Sequence, residues 1–151
     1  MTEEKQTTKT HDPKLNLFQR LLRVSEEVGK IHKGGYNSHS KYNYVSEADV
    51  SNQFREAFLK YGVYCSVSTV DENFLQTQTK SGTAQVYAMV TSEFTFVNVD
   101  KPEEKHIIRS KGHGVDTGDK GIYKAMTGAV KYGLLKSFCI GTDDDLSLIH
   151  I

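Results

Sequence analysis

A long run of alternating apolar and polar residues in the middle of the chain constrains the fold more than any other feature of the sequence. Period-two patterns predict strands over 63–70, 74–79, 83–99 and 105–111. Turn-forming residues separate these segments, most clearly at Ser81-Gly82 and over 100–103. Because strands joined by short turns pair antiparallel, the sequence predicts an antiparallel β-meander.

Two helical patterns precede the meander. Apolar residues at helical spacing predict a first helix over about 13–31, for which Asp12-Pro13 supplies an N-cap and a first helical residue. A second helix is expected to begin after Ser46, because Ser46 and Asp49 have the spacing of a capping box with Asp in the last place. Gly62 is expected to end this helix as its C′ residue.

A third helix is predicted after the meander, over about 120–138 with Asp119 as its N-cap. One face of this helix is a polar stripe that carries Lys120, Lys124, Thr127 and Lys131. The face expected to pack on the sheet carries Ile122, Met126, Ala129, Val130 and Gly133. Leu134 and Leu135 interrupt the polar stripe, and a subunit contact would cover them. The element order predicts an α+β fold, a meander packed by helices.

Length and charge limit the class of protein. The 151 residues are enough for one domain, and we predict a disordered polar tail over 1–12 followed by a folded domain over 13–145. Lysine and arginine together number nineteen, as do aspartate and glutamate, so the chain is not a uniformly basic, histone-like protein.

The charge is nevertheless distributed unevenly. Residues 105–136 contain seven basic and two acidic residues, a local charge of +5, and residues 30–44 contain three lysines, three tyrosines and no acid. Lysines can bind the phosphates of a nucleic acid single strand while aromatic rings stack on its bases. The same pattern also fits a solvated helix face with tyrosines in the core, and the charge alone does not choose between them.

A glycine-rich segment, Gly112–Gly118, is predicted to be a loop and supports a rival interpretation. Loop amides that lead into a helix can hold a phosphate, although the segment lacks the Gly-Lys-Ser/Thr of a P-loop. With Mg²⁺ on Asp143–Asp145, such a loop would suit a phosphate-processing or nucleotide-binding enzyme. A protein-interaction module with an incidental basic face is a third possibility.

The cysteines and the apolar segments indicate a compartment. Cys65 and Cys139 form no CxxC motif, and we expect both to be buried thiols in a reducing cytosol. The polar N-terminus does not resemble a signal peptide, and no apolar run reaches membrane-spanning length.

The C-terminal third carries an extended motif. It reads Gly112-x-Gly-x-Asp-x-Gly-Asp-Lys120, then Lys124-Ala-Met-Thr127-Gly-Ala-x-Lys131-Tyr132-x-Leu-Leu, then Phe138-x-Ile140-x-Thr142-x-Asp-Asp. This pattern, with Tyr42-x-Tyr44-x-Ser46-x-x-Asp49-Val50 upstream, resembles the ERF (essential recombination function) family over about 15–145. Gly121 and Gly141 depart mildly from the family pattern, which commonly has Ala and Pro there.

The resemblance implies a phage or prophage protein that binds single-stranded DNA and anneals complementary strands in the bacterial cytoplasm. It implies a β-β-β-α annealing-protein core, homo-oligomeric rings or filaments, and no ATP, cofactor, metal, membrane or covalent chemistry. By motif, Lys131 is the strongest DNA-binding candidate. The full set of candidates is Lys131, Lys124, Lys120, Tyr132, Lys111, Arg109, Tyr42, Tyr44 and Lys41.

The last six residues, Leu146–Ile151, do not continue the family pattern. They match an in-frame translation of a transposon sequencing-adapter end, so we expect them to be non-native. A native apolar end that packs as a short strand is the other possibility.

Overall fold

The computed structural model describes residues 11–29, 35–37, 42–44 and 46–141, of which 35–37 and 42–44 are described by their backbone. Its elements are α1 (Leu17–Val28), β1 (Gly35–Asn37), β2 (Tyr42–Tyr44), α2 (Glu47–Tyr61), β3 (Val63–Gln78), β4 (Ala84–Asn98), β5 (Lys101–Asp116) and α3 (Gly121–Ser137). This order confirms the predicted α+β fold, a β-meander packed by helices with a β-β-β-α core.

The meander is an open antiparallel sheet with the strand order β3-β4-β5. The prediction of two separate strands over 63–70 and 74–79 is wrong, because β3 is one continuous strand over Val63–Gln78. The register of β3 against β4 shifts between Thr69 and Asp71, where Val70 is the extra residue of a β-bulge. The strand pairs with β4 on both sides of this bulge. The predicted turn at Ser81-Gly82 is present, with Gly82 at φ +85° and its amide donating to the Thr79 carbonyl.

The described helices lie on one face of this sheet. Alternate residues of β4 are buried there, namely Ala88, Val90, Ser92, Phe94, Phe96 and Asn98. Phe94 and Phe96 share a core with side chains of α1, α2 and the C-terminal end of α3, while Ala88 and Val90 pack against Ala125 and Ala129 of α3. We call this helix-covered side the inner face and the other side the open face.

The first helix is shorter than predicted. It begins after Asn16, whose side chain accepts a hydrogen bond from the Gln19 amide while the Gln19 side chain accepts one from the Asn16 amide. The predicted N-cap Asp12 accepts instead from the amide of Lys14, and the helix ends at Gly29. An Asn-x-x-Gln capping box therefore defines the start, four residues beyond the Asp-Pro pair.

A buried arginine on α1 ties the N-terminal segment to the sheet. Arg20 is fully buried, and its guanidinium donates to the carbonyls of Leu15 and Gly62 and to the carboxylate of Asp100, at 2.7 Å. His11 Nε2 lies 2.9 Å from the same carboxylate. His11 and Asp12 are the residues of the predicted tail 1–12 that the structure describes; the others lie outside the described residues.

The second helix begins and ends where the sequence predicts. Ser46 and Asp49 form the reciprocal capping box, and Gly62 adopts the left-handed conformation at φ +69°. A Cβ at Gly62 would also lie 2.7 Å from the Arg20 guanidinium, so both the conformation and the space favour glycine there.

Several predictions for α3 and the cysteines are corrected. Met126, predicted to face the sheet, is 38% exposed, because the small residues of the helix and not its large ones make the closest approach. Leu134 and Leu135 are buried in the protomer's own core and are not free for a subunit contact. Cys139 is exposed, whereas Cys65 is partly buried and its burial raises the thiol pKa to about 12.

Candidate nucleic-acid interface

Small residues place α3 close to the sheet, and its polar stripe lies on the far side, exposed at Lys120 and Lys124 and partly buried at Lys131. Ala125 and Ala129 are fully buried over β4, and a Cβ at Gly133 would lie 2.8 Å from the Phe94 ring. On β5, a Cβ at Gly112 would overlap the Ala125 carbonyl, and a Cβ at Gly114 would lie 2.6 Å from the Gly121 carbonyl. The opposite side of the helix is left for Lys120, Lys124, Thr127 and Lys131.

These contacts also correct the predicted glycine loop. Residues 112–116 belong to β5, paired with β4, and not to a phosphate-holding loop. These positions require glycine because α3 crosses β5 with the two backbones in contact. The local sequence does not show whether a glycine serves such a close contact or a turn. The rival enzyme interpretation therefore loses its phosphate site, and Asp143–Asp145 lie outside the described residues.

Asp116 organises the N-terminus of α3 in place of the predicted N-cap Asp119. Its carboxylate accepts the amides of Gly118 and Lys120 and the ammonium of Lys124, at 3.0, 3.1 and 3.0 Å. The Lys124 hydrogen bond, followed by the two backbone ones, holds the pKa of Asp116 below its ordinary value. Asp116 thus stays ionised at neutral pH and offsets part of the positive charge of Lys124.

The N-terminal half of the stripe surrounds a shallow hollow of about 510 Å³. Asp119, Lys120, Tyr123, Lys124 and Thr127 line it. The ring of Tyr123 is 65% exposed beside the two lysines, an arrangement suited to stacking on a base. Tyr123 was absent from the candidates because it lies on the edge of the stripe.

A second basic surface lies where the edge strand β5 meets α3. We call it the β5–α3 groove, a cavity of about 610 Å³. It is lined by Arg109, Ser110, Lys111, Gly112, His113, Gly128, Tyr132, Gly133, Lys136 and Ser137. The groove therefore brings together the candidates Arg109, Lys111 and Tyr132 and adds His113 and Lys136.

Arg109 and Lys111 do not extend the lysine stripe of α3. Gly112 and Gly114 face the helix. Because successive residues of a strand point to opposite faces, Arg109 and Lys111 lie on the open face. Arg109 accordingly donates to Glu93 across the open face, with a nitrogen–oxygen distance of 3.0 Å. The two residues reach the groove only because β5 is the edge of the sheet.

Lys131 and Tyr132 join the two surfaces. The Lys131 ammonium lies 5.1 Å from the centroid of the Tyr132 ring, a cation–π distance, and Tyr132 in turn lines the β5–α3 groove. Lys131 follows Thr127 of the hollow by one helical turn, and its contact with Tyr132 places it beside the groove.

The remaining candidates lie on the small hairpin or outside the description. Tyr42 and Tyr44 are on β2, which pairs antiparallel with β1. Lys41 lies outside the described residues. The side chains of the hairpin are not described, so a role of these three residues in DNA binding stays a prediction.

Residues 11–29, 35–37, 42–44 and 46–141 contain no group of three His, Cys, Asp or Glu placed to hold a metal ion. None of the helices in those ranges has the length and apolarity that crossing a membrane requires.

The fold and this surface define an α+β protein with a β-β-β-α core and a basic, tyrosine-bearing helix face. The family model of the ERF superfamily matches residues 17–147, and the chain belongs to this superfamily of phage-related recombination proteins. The sequence resemblance to that family is thereby confirmed. No curated protein matches the chain significantly.

Proposed function

We propose that the protein binds single-stranded DNA and promotes the annealing of complementary strands in phage or prophage homologous recombination. The observation that carries this proposal is the row of Lys120, Lys124 and Lys131 along α3, exposed at the first two lysines and partly buried at Lys131, and continued by Tyr132. In a chain of zero net charge, this concentration of lysines beside exposed tyrosines favours a polyanion with stackable bases.

The geometry suits binding without sequence readout. Lysine ammonium groups contact phosphates, which are the same at every nucleotide, and tyrosine rings stack on any base. A strand held by its backbone can still present base edges to a second strand. Specificity then comes from base pairing between the two strands and not from the protein.

Annealing needs no covalent step on this account, because base pairing supplies the free energy. The protein's part is to neutralise phosphates and to hold two strands close together, for which ATP and a bound cofactor are not required. We propose further that it acts as a homo-oligomeric ring or filament in the cytoplasm of the bacterial host. Linked weak sites would then hold many nucleotides by avidity.

The test is a titration of labelled single-stranded DNA, duplex DNA and RNA of equal length at two salt concentrations, with and without chelator. We expect the single strand to bind best, with binding that weakens in salt and is insensitive to chelator. Loss of binding in chelator would favour the Mg²⁺-dependent enzyme, and binding that persists unchanged in high salt would contradict the phosphate contacts.

A paired variant assigns the binding to α3. Changing Lys124 and Lys131 together to Ala removes two of the proposed phosphate contacts, and the log–log salt slope should become shallower by about 0.7 for each. Lys14→Ala, in the exposed segment before α1, is the matched control. Equal affinity and slope in the double variant and the control would end the assignment.

A further inference from the structure

The sheet has two edges that the described elements leave unpaired. β3 and β5 flank β4 on either side, and each is sixteen residues long, or about 50 Å at the usual rise of a strand. The outward amides and carbonyls of an edge strand form a template for another strand. A molecule with two such edges can add a neighbour on each side.

The edge at β3 is apolar on both faces. Phe74 is 55% exposed towards the inner face, and Leu75 and Tyr64 are 57% and 61% exposed towards the open face. Val67 and Val70 are exposed on the same strand. Soluble proteins protect edge strands with charges, with proline or by covering them, and the charges of β3 are confined to Asp71 and Glu72. The large apolar side chains on either side of these two residues favour a neighbour that covers the strand.

Charge identifies what covers it. The charged residues of β3 are Asp71 and Glu72, both exposed and both acidic. The central part of β5, over 105–113, carries Lys105, Arg109 and Lys111 and no acid. Two β3 edges would repel each other, whereas the β3 edge of one copy and the β5 edge of another attract.

The register of the sheet places these charges in one row. Asp71 pairs with Thr91, and Thr91 pairs with Lys111, so the three residues lie side by side across the strands. If a second copy continues the sheet without stagger, its Asp71 lies next to Lys111 of the first. The new pair of strands is parallel, because β3 and β5 both run antiparallel to β4.

We propose that the β3 edge of one copy pairs with the β5 edge of the next, joined by contact between Asp71 and Lys111. Such a head-to-tail contact leaves one edge of each kind free, so it generates a closed ring or a helical filament and not a closed dimer. This inference rests on the proposed homo-oligomer and names its interface.

The experiment is a charge exchange followed by sedimentation velocity without nucleic acid. Asp71→Lys alone and Lys111→Asp alone should each raise the dissociation constant of assembly at least tenfold at low salt. An equimolar mixture of the two variants should assemble again, because each charge then meets an opposite one. A mixture that stays dissociated, or a wild-type protein that is monomeric at tens of micromolar, would overturn the interface.

A second pair of variants tests the apolar part. Phe74→Lys should weaken assembly, whereas Leu59→Lys, at an equally exposed leucine on α2, should not. Equal sedimentation of these two variants would count against the interface. Binding of a short oligonucleotide, measured separately, distinguishes the two proposals. Assembly that is unchanged in Asp71→Lys, Lys111→Asp and Phe74→Lys overturns the interface alone, whereas oligonucleotide binding that is unchanged in the double Ala variant of Lys124 and Lys131 overturns the DNA surface alone.

Discussion

Changing Asp116 to Asn tests whether the lysines at the start of α3 contact DNA. The carboxylate of Asp116 holds the Lys124 ammonium at 3.0 Å and also accepts two backbone amides through its other oxygen. Asn keeps one oxygen for those amides but offers the ammonium no carboxylate. The variant should therefore keep the helix start and release Lys124 for phosphate.

The magnitude is at most that of one phosphate contact, because in the wild type the Lys124 ammonium is shared between Asp116 and phosphate. One contact to a single strand steepens the log–log salt slope by about 0.7, so a fourfold change in salt alters affinity by at most about 2.6-fold more than in the wild type. Asp116→Asn should bind single-stranded DNA more tightly at low salt and lose this advantage as salt rises. Fluorescence anisotropy at four or five salt concentrations measures both quantities.

Asp119→Asn is the control for net charge. Asp119 lines the same hollow, and among the described residues it makes no ion pair. Its change raises the local charge equally but releases no ammonium, so the salt slope should move less than in Asp116→Asn. Unchanged or weaker binding by Asp116→Asn with a wild-type melting temperature would refute the view that Lys124 contacts phosphate.

Two further predictions concern stability. Gly112→Ala should destabilise the fold by about 1–3 kcal/mol in urea titrations, because the added methyl group overlaps the Ala125 carbonyl where α3 crosses β5. Gly128→Ala is the control, because a Cβ at Gly128 meets open space and should not destabilise the fold. Equal urea midpoints of the two variants would contradict the packing account. The hydrogen bond from Arg20, then its charge and the contact with His11, hold the pKa of Asp100 below 3.8. This carboxylate therefore contributes stability that is present above pH 3.8 and lost as pH falls through the lower folded-state pKa, so melting temperature should depend less on pH below 3.8 in Asp100→Asn than in the wild type.

The sequence by itself determined the elements whose signals are local. The capping box of Ser46 and Asp49 and the left-handed Gly62 bound α2 as predicted, because caps act within one turn of the helix. Alternation along 83–99 gave β4, and the lysine spacing put Lys120, Lys124 and Lys131 on one face of α3. The extended motif over 112–145 was enough to identify the family.

Tertiary structure decided what depends on residues distant in the chain. Gly112 and Gly114 have the composition of a loop, and only the passage of α3 over β5 shows why a strand needs them. Met126 was predicted on the packed face and is exposed, whereas Ala125 was not and is fully buried, because close approach of the backbone to the sheet, and not hydrophobicity, selected the packed face. Arg109 and Lys111 lie near the lysine stripe in sequence, yet both are on the face of the sheet opposite α3. There Arg109 forms an ion pair with Glu93 of β4.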